Sequence, residues 1–339
     1  MNFDFSDEQY AVRDLARDVF EREWSAARLR ERWQSSGVAD DRVWKALAGV
    51  GITGLTVPEE HGGFGGDHTD LVLVLEEAGR AGVPDPLVET VAVAAPLLAE
   101  AGTDDQRSEW LPRIASGDVR AAVQVGDDPS VASADEAAFV IIQRVEGLHL
   151  VTTDAISIRA VASEDRARRL YTIVANTSPT TLLTSEGSAV DRMRSRGAAA
   201  TASLLNGVSI RLVEMTLDHV KARHQFGRPI GSFQAVKHKL ASMHVAVESA
   251  RSAAWYAAYA LARDLPEATL AAAVAKAATN DAAAVIGHEA LQCHGGIGFT
   301  WEHDLHLWLK RALSLQASFG TTRQHRWQAA RALIERSGA

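Results

Sequence analysis

The chain has 339 residues with 35 basic and 43 acidic side chains, a formal net charge of −8, and 47% hydrophobic residues. That length accommodates two or three domains with full cores, and the acidic balance argues against a role resting on phosphate neutralisation in nucleic acid. One cysteine, Cys293, excludes an intrachain disulfide framework.

The start, Met1 to Gln9, is acidic and polar and does not read as a secretion signal. The longest uncharged apolar stretch, Val91 to Ala99, is about half of the roughly 20 residues a membrane span needs. The expectation is a soluble, cytoplasmic protein with no membrane span.

Ser6 followed by Gln9 predicts a capped helix start, and Val12, Leu15, Ala16, Val19 and Phe20 recur at helical spacing as its buried face. Four glycines and a proline between Val57 and Gly66 mark a loop. Helical patterns resume over Leu71 to Ala81 and Val88 to Ala101, with Gly102 and Gly117 placed as terminators. From about 120 to 190 the texture changes. Phe139–Ile142, Leu148–Thr153, Ile156–Ile158 and Leu170–Val174 are short β-branched runs, predicting a small antiparallel β domain. Long helices return from Arg194 onward. Val236, Leu240, Met243, Val247, Ala250 and Ala254 form a packing seam, and Ala271 to Ala278 a small-residue face for close helix contact. The predicted organisation is mainly α with a small β domain: an N-terminal helical domain over 1–119, a reduced middle β domain over 120–190, and a C-terminal four-helix bundle over 191–339.

Two segments carry a specific pattern. Arg223-His224-Gln225-Phe226-Gly227-Arg228-Pro229-Ile230-Gly231-Ser232-Phe233-Gln234, together with Gln292-Cys293-His294-Gly295-Gly296-Ile297-Gly298-Phe299-Thr300, resembles the signature of the acyl-CoA dehydrogenase family, and the resemblance extends over the whole chain. It implies FAD as cofactor, an acyl-CoA substrate, α,β-dehydrogenation, and an electron-transfer flavoprotein as electron acceptor. Arg223, with a planar donor fork, suits a pyrophosphate; Phe226 suits the adenine, and Gln234 the adenosine end. Gln292, Gly295 and Gly296 would bring backbone amides to the flavin. Thr321 matches a further family position. By resemblance, Arg223, Phe226 and Gln234 reach the flavin of a neighbouring subunit.

The catalytic positions depart from the family. An ungapped count puts Phe319 where the family has its base carboxylate, and Gly197 at the alternative base position. Because α-proton abstraction needs a general base in hydrogen-bonding reach, neither residue can serve. Glu302 remains as a weak candidate, first a structural carboxylate at a helix start. The stretch Ala122 to Ser130 replaces the family's isoalloxazine-framing strand end, and no Trp-x-Thr-Asn occurs between 120 and 190. His294, His303 and His306 lack the spacing of a helical zinc pair, so no metal site is expected.

The expectation is a non-catalytic subunit, completing the FAD site of a second acyl-CoA dehydrogenase subunit, similar to the α2β2 enzymes that oxidise steroid side-chain CoA thioesters in actinobacteria. Two alternatives stay open: a homotetrameric enzyme with an unconventional base, and a CoA-thioester-binding or scaffold protein without redox chemistry.

Overall fold

A computed structural model describes residues 4–35, 40–126 and 128–337. Six α-helices come first: α1 (Asp7–Glu23), α2 (Ala26–Gln34), α3 (Arg42–Gly49), α4 (His68–Ala81), α5 (Ala95–Ala101) and α6 (Asp104–Ala115). The predicted capping box is present, with the Ser6 side chain accepting from the Gln9 amide and the Gln9 side chain accepting from the Ser6 amide. Ala16, Val19 and Phe20 are buried. Leu15 is not: it is 46% exposed, because it lies on the flank of the stripe that Ala16 and Phe20 centre. The run from Val88 to Ala101 is not one regular helix. Residues Val88–Ala94 form a π-helix, and α5 follows.

The β region holds β1 (Ala121–Gln124), β2 (Val131–Ala132), β3 (Phe139–Arg144), β4 (Gly147–Thr152), β5 (Ile156–Val161), β6 (Leu170–Ala175) and β7 (Leu182–Thr184). Its strands make two sheets, ordered β1-β3-β4-β7 and β2-β6-β5. Ala122, Val131, Val140, Ile142 and Val151 are buried between them. The expected sheet was wholly antiparallel, yet β1 pairs with β3 in parallel. β1 carries no alternating pattern because all four of its residues are buried: Ala121, Ala122 and Val123 are apolar on both faces, and the Gln124 amide is accommodated by donating to the Asp128 carbonyl at 3.2 Å and accepting from Arg144 at 3.0 Å.

The bundle consists of α7 (Gly187–Ala222), α8 (Gln234–Ala262), α9 (Ala268–His294), α10 (Leu305–Ala317) and α11 (Thr322–Ser337), with a hairpin of β8 (His224–Gln225) and β9 (Arg228–Pro229) between α7 and α8. The seam residues Met243, Val247, Ala250 and Ala254 are buried as their spacing requires. Alanines of α7, α8 and α9 share a small-residue core containing Ala199, Ala202, Ala254, Ala257, Ala272 and Ala275. No helix among the described residues is long and apolar enough to cross a membrane.

The N-terminal helices join the bundle through α4 and α7. A Cβ on Gly79 would fall inside the van der Waals radius of the Leu204 carbonyl oxygen, and one on Gly207 would fall inside that of the Glu76 carbonyl oxygen. The two backbones therefore touch. Beside the crossing, the Glu76 carboxylate accepts from Asn206 at 2.9 Å and from Arg251 at 3.0 Å, which satisfies an acidic group that is largely removed from water.

Gly207→Ala forces a side chain against backbone atoms that cannot rotate away. It is expected to destabilise the fold by about 2 kcal/mol or more, measured by urea unfolding. Gly187→Ala meets nothing within 4 Å and is expected to leave the midpoint unchanged. Equal effects of the two substitutions would contradict the close crossing.

Candidate functional site

Because α7, α8 and α9 run up, down and up, the C-termini of α7 and α9 and the N-terminus of α8 share one end of the bundle. Arg223 caps α7, with its amide donating to the His219 carbonyl at 2.9 Å. The hairpin turns at Phe226 and Gly227, whose φ values of 53° and 75° are those a tight two-residue turn requires. This turn leaves the Phe226 ring 91% exposed. Arg228 lies 4.1 Å above the ring of Phe233, which fixes the base of the hairpin by cation–π contact. Gln234 opens α8 with its side chain exposed.

Gln292 is exposed in the last turn of α9, and Gly295 and Gly296 follow it on the surface. Nothing lies within 4 Å of a Cβ built on either glycine, so their backbone is open to a ligand. His219 of α7 and His294 of α9 stack at 4.3 Å between ring centroids, which joins the two segments. Arg223, Phe226, Gln234, Gln292, Gly295 and Gly296 thus form one exposed, positively biased end. Arg223 makes no salt bridge among the described residues.

Thr321 belongs elsewhere. Its hydroxyl caps α11, accepting from the Gln324 amide at 3.4 Å, and it borders an open groove with Arg194, Thr269, Arg323, Trp327 and Arg331. Thr269 begins α9 whereas His294 ends it, so roughly 38 Å of helix rise separates the two ends.

The two family base positions meet at this opposite end. Phe319 follows α10 with φ of 52°, and its ring rests directly on Gly197 of α7, leaving no room there for a Cβ. The Phe319 carbonyl is 2.9 Å from His325 Nε2. Lys276, fully buried, donates to Asn280 Oδ1 at 2.7 Å, to the Leu315 carbonyl at 3.0 Å and to the Gln316 carbonyl at 3.2 Å. An ammonium has three donors; here two close the C-terminus of α10, where a cation also complements the helix dipole, and the third holds Asn280 of α9. Burial, with a smaller contribution from Arg168, pulls Lys276 down to about 7, whereas the three acceptors favour its charged form.

Beside Phe319 lies a cleft of about 110 Å³, lined by Glu89, Val123, Asp128, Arg168, Ser314 and Ser318 among others. Small-molecule pockets usually measure about 300–1,000 Å³. Glu89, on the π-helix, faces Arg168 at 3.7 Å, and Arg168 donates to Ser314 Oγ at 3.1 Å. Burial pushes the Glu89 carboxyl up, and Arg168 opposes that. The chain of buried charge continues through Arg311 paired with Asp165. Glu89 was not singled out by sequence patterns, although it is the lone charge in a run that is otherwise apolar. Arg168 has no such signal.

Glu302 is exposed in the turn before α10, and its carbonyl accepts from Arg30 at 3.0 Å. All of α10, about 20 Å long at 1.5 Å per residue, separates it from Phe319. His303 precedes α10 and His306 lies within it, so the two do not lie on one helix.

Residues 6–118 match the model of the acyl-CoA dehydrogenase N-terminal domain, and residues 191–334 that of the C-terminal domain. The chain is 34% identical over 313 residues to acyl-CoA dehydrogenase IpdE2 of Mycobacterium tuberculosis, covering 90% of this chain and 91% of that one. It is 35% identical to acyl-CoA dehydrogenase FadE34 of the same organism, over 93% of this chain and 46% of the relative. Among solved structures, the steroid ACAD Tcur3481-Tcur3483 G363A variant superposes with a TM-score of 0.87 at 27% identity, covering 98% of this chain and 99% of that chain. Butyryl-CoA dehydrogenase from Megasphaera elsdenii gives 0.88 at 22% identity, with 98% and 100% covered.

The seating of Phe319 on Gly197 is testable by a double-mutant cycle in urea unfolding. Gly197→Ala alone is expected to cost about 1–3 kcal/mol through overpacking. Combined with Phe319→Ala it is expected to cost less than the sum of the two single changes, by about 1 kcal/mol. Strict additivity would mean that the two residues do not touch.

Proposed function

The chain belongs to the acyl-CoA dehydrogenase family, whose members use FAD, and we propose that it acts there as the non-catalytic subunit of a heteromeric enzyme, completing the FAD site of its partner. The observation that carries this reading is the opposite condition of the flavin-motif surface and of the two base positions. On that surface, Arg223, Phe226, Gln234, Gln292, Gly295 and Gly296 are exposed together, with an unpaired guanidinium, an aromatic face in solvent and glycine backbone open to approach. These features fit the pyrophosphate, adenine and ribityl portions of a dinucleotide. At the base positions, the small charged cleft beside Phe319 fits neither an isoalloxazine ring nor an acyl chain.

When bound, FAD supplies the acceptor for the hydride leaving Cβ of the thioester. This chain's own part is to bind and orient. Arg223 neutralises the pyrophosphate, Phe226 covers the adenine, and the Gly295–Gly296 backbone donates hydrogen bonds. Removal of the Cα proton falls to a carboxylate of the second subunit, since a phenyl ring and a glycine occupy both base positions here. A CoA thioester is the substrate class; likeness to the steroid enzyme at 27% identity supports a steroid side-chain thioester. An α2β2 assembly in the cytoplasm, with an electron-transfer flavoprotein as acceptor, completes the proposal.

Glu89 favours a second reading, in which the chain is itself catalytic. Its buried carboxyl, raised above the usual range, faces the cleft beside Phe319, the condition in which a carboxylate serves as a base. Its pairing with Arg168 argues against that role.

Purified alone, the chain is expected to retain little flavin; co-purified with its partner, the complex is expected to carry flavin and oxidise acyl-CoA. Stoichiometric flavin and turnover in the isolated chain, abolished by Glu89→Gln, would overturn the non-catalytic reading in favour of the second. In the complex, Arg223→Ala is expected to weaken FAD binding by about 10-fold to more than 100-fold, corresponding to about 1.5–3 kcal/mol for a hydrogen bond to a charged group. Arg223→Lys is expected to recover only part of the loss. Flavin titration of the apo-complex measures both, and unchanged affinity in both variants would leave the scaffold alternative as the better account.

A further inference from the structure

Behind the exposed glycine loop, three histidines from three separate elements converge. His219 comes from the last turn of α7, His294 from the end of α9, and His303 from the turn before α10. Their ring centroids are 4.3 Å apart for His219 and His294, 4.7 Å for His294 and His303, and 6.2 Å for His219 and His303. One nitrogen from each lies within 4.8 Å of the other two. We propose that His219, His294 and His303 form a binding site for one divalent transition-metal ion of the zinc or cobalt class.

Donor chemistry supports the assignment. His294 Nδ1 is 2.7 Å from the Ala290 carbonyl, so Nδ1 carries the proton and donates, and Nε2 presents its lone pair. That Nε2 is buried and has no hydrogen-bond partner. A ring nitrogen held by a backbone carbonyl, with the other free to coordinate, is the usual arrangement of a metal-bound histidine. A buried nitrogen left without a partner is destabilising, and a metal would supply the missing partner.

Burial also disfavours the charged form of all three side chains, pulling His294 down to about 4 and lowering His219 and His303 as well. Neutral imidazoles coordinate and imidazoliums do not. The charged groups around the cluster are Arg223 beside His219, and Asp304 and Arg30 beside His303. Asp304 is paired with Arg30, so the donor set is three imidazoles, leaving a fourth position to water.

Zinc–nitrogen bonds of about 2.0–2.1 Å place tetrahedral donors about 3.3 Å apart. The present spacing, at most 4.8 Å, therefore closes by no more than about 1.5 Å on capture. Rotation of His219 and His303, both half-exposed, can supply this. His303 Nδ1 presently accepts from the Leu305 amide at 3.1 Å, and coordination replaces that bond. His294 is buried beneath the loop whereas Gly295 and Gly296 are exposed, and Arg223, beside His219, is the charged group that the metal site and the flavin-facing surface have in common.

The test is titration of the chelator-treated full chain with Co²⁺, read by visible d–d absorption, and with Zn²⁺ by calorimetry. One equivalent per chain is expected, with the intense spectrum of a tetrahedral cobalt site. His294→Ala is expected to weaken binding by at least about 100-fold. His303→Asn, at a half-exposed position where the Asn side chain can still accept from the Leu305 amide, is expected to do likewise while leaving the urea-unfolding midpoint unchanged, and His288→Ala, on the surface of α9, to have no effect. Absence of stoichiometric binding to the wild type overturns the proposal, as does affinity changed by less than about tenfold in both ligand variants. Metal binding is measured without flavin, so its failure would leave the proposed redox role untouched.

Discussion

Where α4 crosses α7, two glycines let one backbone lie against the other, and the geometry of the rest of the molecule is set from that crossing. Interaxial distances of about 8–10 Å are normal when side chains separate helices. Removing them at Gly79 and Gly207 draws the N-terminal layer close enough for Glu76 to reach both Asn206 of α7 and Arg251 of α8. A carboxylate removed from water is tolerable only with such partners, so the contact and the hydrogen bonds require each other. Since α7 also carries Gly197 toward one end and His219 and Arg223 toward the other, its placement locates both regions of chemical interest.

Those regions treat charge in opposite ways. Around Arg223 the cations stand in solvent with glycine backbone beside them. Around Phe319 the charges are internal: Glu89 with Arg168, Asp165 with Arg311, Lys276 among three oxygens. Buried pairs seldom add much stability over apolar residues of the same shape, yet losing one partner is costly. A network of this kind excludes ligands from the space it fills, because anything entering would have to separate the pairs.

Much of this was legible in the sequence. The capping box at Ser6, the seam of α8 and the alanine face of α9 follow from local periodicity, and four of the strands from β-branched runs. The exposed group at the end of the bundle was recognisable because its residues fall in two contiguous stretches. What escaped was assembled across the chain. β1 has no alternating signal, so its parallel pairing was missed. The π-turn at Val88–Ala94 depends on hydrogen-bond register that composition does not encode. Glu89 and Arg168, or His219 and His294, are paired only by the fold, and the absence of a local histidine spacing said nothing about histidines brought together from three helices' ends. Thr321 looked like one more member of the motif set, but its neighbours are those of the opposite end.

The length of α7 has a consequence for how such a molecule changes over generations. From Gly197 to Arg223 the helix rises about 39 Å at 1.5 Å per residue, well beyond the 7–10 Å within which substitutions normally influence one another. Replacements at one extremity therefore have stability effects nearly independent of those at the other. After gene duplication, one copy can accumulate replacements where the base would stand while its remote surface is maintained by the needs of a sister chain. Divergence of a symmetric assembly into unlike subunits requires this kind of independence, and a single long rigid rod supplies it.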